Sequence, residues 1–344
     1  MNQKALSAER VAAPRRRELD FEPPVPIRSP HVQSVLASSA LRRPLVRARS
    51  AGVRAAARSR VLQCPDGTRL EALVSRQPAG TSRGVVVALH GWHGSADSLY
   101  LLSTTGRLFD AGYDIVRLHL RDHGGTHGLN EALFHSCRIE EAVQAVALVA
   151  GWFPEQSLNL LGFSLGGNFA LRIACRAPAE GIDLARVVAV CPVLDPATTM
   201  AALDDGWFGY RLHFMRNWRA SMLHKQQAFP ERYDFAATRS IRSLAEMTDW
   251  FVERHTPYAS TRSYLDGYTL TGTALTALAV PATMLVALDD PVIPAADLDR
   301  VQPSPSLEVL TTAYGGHCGF VADGALRCWL DDTLLSVIET GRPA

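Results

Sequence analysis

The chain has 344 residues, 47% of them hydrophobic and 20% charged, which excludes a wholly disordered chain, a collagen-like fibre and a coiled coil. No uninterrupted apolar run approaches the ~18 to 20 residues that a membrane-spanning helix needs. Net charge is +1, yet the first 60 residues hold 13 Lys or Arg against 4 acids, a net of +9 that leaves −8 for the remainder.

The basic segment includes Arg15, Arg16, Arg17, Arg42, Arg43, Arg47 and Arg49. It has almost no aromatics to stack on bases, so nucleic acid is not expected as a partner. Residues 1–58 are expected to form a basic N-terminal arm, solvated or lying as an edge on the acidic body. A weak peripheral contact with anionic lipid is its other expected use. The first 20 residues lack the apolar core of a secretory signal. Six cysteines are scattered without a C-x-x-C pair, which points to a reduced, cytoplasmic compartment.

From about residue 59 the pattern alternates between strands and helices. Residues 60–74 break at Pro65-Asp66-Gly67, a turn between two short strand-like runs. Near-continuous apolar runs follow at 84–89, 113–120, 158–163, 187–191 and 282–288, as expected of strands covered on both faces. Helix-period segments lie at 98–111, 139–151, 168–175 and 325–338. This alternation predicts an α/β fold, a mostly parallel sheet with helices on both faces. The core is expected over 59–195 and 276–344. Between them, 196–275 reads as a helical insertion holding 13 of the chain's 26 aromatics. Most of those rings are expected to be core, with a few lining a pocket under a cap.

Gly162-Phe163-Ser164-Leu165-Gly166 has the form G-x-S-x-G. It follows an apolar run and precedes a helical segment, the context of a nucleophile elbow, where the strained turn needs residues without bulk two before and two after the serine. A serine hydroxyl needs a base, and in such folds the partners follow in the order Ser, acid, His. The run 282–288 ends in Asp289-Asp290-Pro291. Asp290 is the favoured acid, and Asp289 is the competing choice, with capping of the following turn as its other role. His317, in the glycine-rich loop Gly315-Gly316-His317-Cys318-Gly319 after the run 307–312, is the expected base. Cys318 is expected to be a packed cysteine. Two backbone N–H groups, of Leu165 and Trp92, are the candidate oxyanion donors.

Six of eleven histidines fall between 90 and 135. His119, His123 and His127 are four apart, but Gly124-Gly125 argues against one helix through them, and no H-E-x-x-H is present. Rim polarity and loop hydrogen bonding are their expected roles. No metal or cofactor is expected, and no residue is assigned to substrate binding.

These residues together resemble the α/β-hydrolase superfamily and, within it, a YheT-type branch, over nearly the whole chain from about Phe21. The resemblance is carried by Pro30-His31-Val32-Gln33, Leu89-His90-Gly91 with Gly94-Ser95 and Tyr100, residues 162–168, Asp289-Asp290-Pro291, and Gly315-Gly316-His317 with Gly319-Phe320. It implies a Ser-Asp-His hydrolase of carboxylic esters; the crowd of aromatics in the insertion suggests, from the residues themselves, that the acyl group is apolar. Acyl transfer to alcohols is known among relatives, and a non-catalytic binding protein on the same fold is the alternative of another class. Where the branch has an Arg-Gly-Cys-Gly-type loop this chain has Arg121-Asp122-His123-Gly124-Gly125, and Glu141 stands where an aspartate is typical. These changes are expected near the cleft mouth.

Overall fold

The computed structural model describes residues 15–302 and 304–342. In chain order its strands are β1 Arg15–Glu18, β2 Ala57–Gln63, β3 Arg69–Ser75, β4 Val85–Leu89, β5 Asp114–Leu118, β6 Leu158–Phe163, β7 Leu184–Val190, β8 Ala282–Ala287 and β9 Leu307–Thr312. Its helices are α1 Pro30–Ala37, α2 Arg43–Arg49, α3 Ala51–Ala55, α4 Leu99–Asp110, α5 Ile139–Gly151 and α6 Leu165–Arg176. Then follow α7 Pro196–Asp205, α8 Phe208–Ala228, α9 Leu244–His255, α10 Thr261–Asp266 and α11 Leu330–Thr340.

All nine strands form one sheet in the order β1-β9-β8-β7-β6-β4-β5-β3-β2. Only β3 runs antiparallel to its neighbours, β2 and β5. Period-2 alternation sends neighbouring side chains to opposite layers. On β4, Val85, Val87 and Leu89 join one core, with α5 and α6, while Val86 and Ala88 join the other, with α4 and α11. The two layers explain why these strands read as unbroken apolar runs, since neither face meets water. Because β4, β6, β8 and β9 are parallel, the loops after them all open at the sheet's carboxyl edge, where ligands bind in such folds.

Several expectations need correction. Of the two forms expected for the basic segment, residues 15–58 take the one that lies on the body, not the solvated one. β1 extends the sheet beside β9, and α1–α3 pack onto the body through buried Ala37, Val46 and Val53. Arg42, though charged, is buried and donates to the carbonyls of Ala37 and Leu326. Residues 1–14 lie outside the described part of the chain. At the carboxyl end α11 begins five residues later than expected, because 321–328 closes on itself: Asp323 accepts from the Arg327 amide and guanidinium, and Leu326 takes a left-handed φ of 60°. The helix expected from 168 starts at Leu165, directly after the strained serine.

Between β7 and β8 lie α7–α10. Asp195 caps α7 by accepting the amides of Ala197 and Thr198, with Pro196 at the first turn. Among the described residues no helix is long and apolar enough to cross a membrane.

Candidate active site

Ser164 sits between β6 and α6 with φ 54° and ψ −119°, a left-handed backbone that costs a non-glycine residue on the order of 1–3 kcal/mol. The turn is held by its amide, which donates to Val190 O at 2.8 Å. The flanking glycines are a steric necessity. A Cβ on Gly162 would stand 2.1 Å from Gly166 O, and one on Gly166 would stand 2.5 Å from both His90 O and Leu89 O. Strand and helix therefore cross with no room for a methyl group.

The three residues read from sequence order are brought together. His317 Nε2 lies 2.9 Å from Ser164 Oγ, and His317 Nδ1 lies 2.8 Å from Asp290 Oδ2. Asp290 Oδ1 accepts the amides of Val292 and Ile293 at 2.8 and 3.0 Å, so the turn after β8 aims the other oxygen at the imidazole. Asp289 does not reach the ring. Its Oδ1 accepts the Gly316 amide at 2.8 Å, one residue before His317. Burial pushes the Asp289 carboxyl above its ordinary value, against the pull of the Gly316 N–H.

Of the candidate oxyanion donors, Leu165 follows Ser164, and Trp92 lines the same cavity as that serine; among the described residues neither N–H has an acceptor. Gly91 is excluded, because its amide donates to Tyr100 Oη at 2.9 Å. Burial lifts that phenol to about 12, so it remains neutral.

The histidine-rich loops are pinned by ring nitrogens. His90 Nε2 accepts the Leu120 amide, His119 Nε2 accepts the Ala96 amide, and His123 Nε2 accepts the His93 amide, at 3.2, 2.8 and 3.1 Å. Only an unprotonated nitrogen accepts. Burial pushes His90 well below its ordinary value and lowers His123 to about 4, which keeps both neutral. The loop carrying Trp92 is thus tied to the one after β5.

The variant loop at 121–125 buries Arg121, Asp122 and His123 and leaves Gly124 and Gly125 exposed. Arg121 gives Nε and Nη2 to one oxygen of buried Glu141, at 2.9 and 2.6 Å. Asp122 pairs with the fully buried Lys225 of α8 at 2.8 Å, and Lys225 also donates to three backbone carbonyls. The first pair ties the loop to α5, and the second fastens α8 to the body. The longer carboxylate and the added acid are therefore structural in position.

Among the described residues one donor group is compact enough for a metal, Cys191, His317 and Cys318, with ligand atoms within 4.8 Å. Both nitrogens of His317 are already engaged. Burial raises the Cys318 thiol well above its ordinary value, which disfavours the thiolate a metal requires.

An apolar cavity of about 100 Å³ adjoins Ser164, walled by Trp92, Leu203, Phe214, Trp218 and Phe251. A vestibule of about 400 Å³ is also lined by Ser164, with His317, Val35 and Tyr210. Two supports escaped the sequence reading. Ser34 of α1 accepts the His317 amide at 2.8 Å. Asn168 donates to the carbonyls of Val193 and Tyr268, fixing α6 against the segment after α10. Neither has a local signal, since each contact joins distant segments.

A mostly parallel sheet, a serine on a strained strand-to-helix turn and loops converging at the carboxyl edge define an α/β-hydrolase. The model of the serine aminopeptidase S33 family matches residues 80–309, and the chain belongs to that family. It is 26% identical over 289 residues to YheT of Escherichia coli (strain K12), named as a candidate esterase, covering 81% of this chain and 84% of that one. It is 22% identical over 257 residues to the phospholipase ABHD3 of Mus musculus, covering 70% of this chain but only 59% of that longer protein. A membrane phospholipase A described as a bacterial virulence factor shares the fold, with TM-score 0.51 at 16% identity over 85% of this chain and 87% of that one. So does 2,6-dihydroxy-pseudo-oxynicotine hydrolase, at 0.52 and 18%, over 84% of this chain and 70% of that one. The protein is a hydrolase of the esterase type.

Proposed function

We propose that the protein cleaves a carboxylic ester with an apolar acyl group through an acyl-serine intermediate. The observation that carries this reading is the continuous chain from Ser164 Oγ through His317 to Asp290, with links of 2.9 and 2.8 Å. His317 Nε2 takes the hydroxyl proton as Ser164 attacks the carbonyl carbon, and Asp290 holds the ring in the required tautomer and stabilises the imidazolium. The amides of Leu165 and Trp92 receive the developing oxyanion, each worth about 3 to 4 kcal/mol. The acyl–oxygen bond then breaks, and the alcohol leaves with the proton returned by His317. Water, deprotonated by the same ring, releases the acid and restores the serine. The cavity walled by Trp92, Phe214 and Trp218 takes the acyl group. The mouse relative's name, a phospholipase, suits an acyl ester. A reduced compartment suits six cysteines that are all free.

The test is Ser164→Ala. Hydrolysis of short 4-nitrophenyl esters should be lost while circular dichroism is unchanged, and a fluorophosphonate probe should label the wild type alone. Turnover retained by Ser164→Ala would sink the mechanism.

A further inference from the structure

Arg43 and Arg47 lie one turn apart on α2, and Arg54 follows on α3. All three are exposed. Many other arginines of this chain are paired with acids, as Arg16, Arg28 and Arg107 are; among the described residues these three have no such partner. With His213 and Asn217 of α8 they line a concave, polar basin of about 470 Å³. One acid lines it, Asp97, and that carboxylate is engaged by the buried Arg117 at 3.2 Å. The basin therefore holds uncompensated positive charge.

Its position relative to Ser164 gives this charge a use. Ser38, Trp92, Tyr100 and His213 line both the basin and the vestibule that contains Ser164 and His317. Trp92 also walls the apolar cavity that adjoins the serine. An ester with its acyl chain in that cavity and its carbonyl at Ser164 has the vestibule open to its alcohol portion, and the vestibule adjoins the arginine basin.

We infer that the basin binds an anionic group, a phosphate in the simplest case, carried on the alcohol portion of the ester. The inference rests on the serine-ester reading above. Guanidinium groups recognise phosphate through paired, charge-assisted hydrogen bonds, and a concavity offers them from several sides. The phosphate itself is not attacked. The acyl–oxygen bond breaks, and the phospho-alcohol departs with its phosphate intact and the proton delivered by His317.

Two soluble esters that differ in one group supply the test, 1-butanoylglycerol 3-phosphate and 1-butanoylglycerol. The phosphate ester should have the higher kcat/KM, and Arg43→Ala/Arg47→Ala/Arg54→Ala should lower the ratio between the two by about tenfold or more, chiefly through KM. The single variant Arg47→Glu, at an exposed position, should shift the ratio the same way without endangering the fold. A ratio unmoved by either variant overturns the proposal. Calorimetric titration of inorganic phosphate into the Ser164→Ala protein reads the basin apart from catalysis. Saturable binding that the added arginine substitutions abolish supports it even if neither ester is cleaved, and no saturable binding overturns it. Arginine variants that alter only sedimentation with phosphatidylglycerol vesicles, leaving the ester ratio and phosphate binding intact, would make the patch a lipid-surface contact and equally overturn it.

Discussion

Ser34 Oγ accepts the backbone amide of His317 at 2.8 Å, across 283 positions of sequence. Its own hydroxyl proton goes to Pro30 O at 2.7 Å, so the oxygen's acceptor face is turned to the histidine loop. The contact is tight, since a Cβ on Gly316 would stand 2.4 Å from Pro30 O. Helix α1 is therefore one wall of the pocket that positions the imidazole. Ser34→Ala removes one hydrogen bond, worth about 0.5–1.5 kcal/mol, and leaves the loop free to tilt. The expected outcome is a kcat lower by about three- to tenfold at unchanged helix content. Ser34→Thr should recover part of the loss, and identical kinetics for wild type and Ser34→Ala would show the contact to be idle.

Asp289 and Asp290 are neighbours with different duties. Asp290→Asn leaves a shape that fits but presents the wrong hydrogen-bonding group to His317 Nδ1. Its kcat should fall by about 10³–10⁴, the size of effect expected when the orienting acid of such a triad is lost. Asp289 holds the Gly316 amide, so Asp289→Asn should act through loop stability. A loss of about tenfold or less, with a lower melting temperature, is the expected result. Side-by-side kinetics of the two variants decide the assignment, which is reversed if Asp289→Asn proves the more damaging.

The sheet was legible because its signals are local. The run at 84–89 and the glycines at 162 and 166 report burial and close crossing at the very residues that undergo them. The serine, acid and histidine were legible as an order along the chain. The sequence order favoured Asp290 over Asp289 but left both open, because the turn at Val292 and Ile293 decides which carboxylate faces the ring. The role of 30–55 was hidden for another reason. Its arginines outnumber its few buried anchors, Ala37, Val46 and Val53, so charge masked the periodicity. Ser34 and Arg47 gain their meaning only from what packs beside them.

Buried neutral histidines set an acid limit on stability. Burial lowers His123 and His127 to about 4 and His135 to about 3, from an ordinary value of 6.5. Each is neutral in the folded chain and protonates readily only once unfolded. The stabilisation is complete above pH 6.5 and is lost progressively as pH falls towards 4, where the unfolded chain binds more protons. His123 alone accounts for on the order of 3 kcal/mol across that window. Urea midpoints should be level from pH 8 to 7 and then decline steadily to pH 4.5. A midpoint flat down to pH 4.5 would mean that these rings are already charged in the fold, which for His123 its acceptor role towards the His93 amide forbids.

The acyl cavity sets a limit on substrate length. Its volume of about 100 Å³ compares with ~10–15 Å³ for one water-sized group on the same measure, so a chain of several carbons fits and a long one meets the aromatic wall. Activity on 4-nitrophenyl esters should peak for acyl groups of about four to eight carbons and drop steeply for hexadecanoyl. Leu203, on α7, is buried and contributes to the wall. Leu203→Ala should move the optimum towards longer chains while costing about 2–5 kcal/mol of stability, a cost that chemical denaturation reads directly. A profile that is flat with length, or one confined to short charged acyl groups, would mean that the chain lies elsewhere, and the cavity behind Ser164 would lose its assigned role.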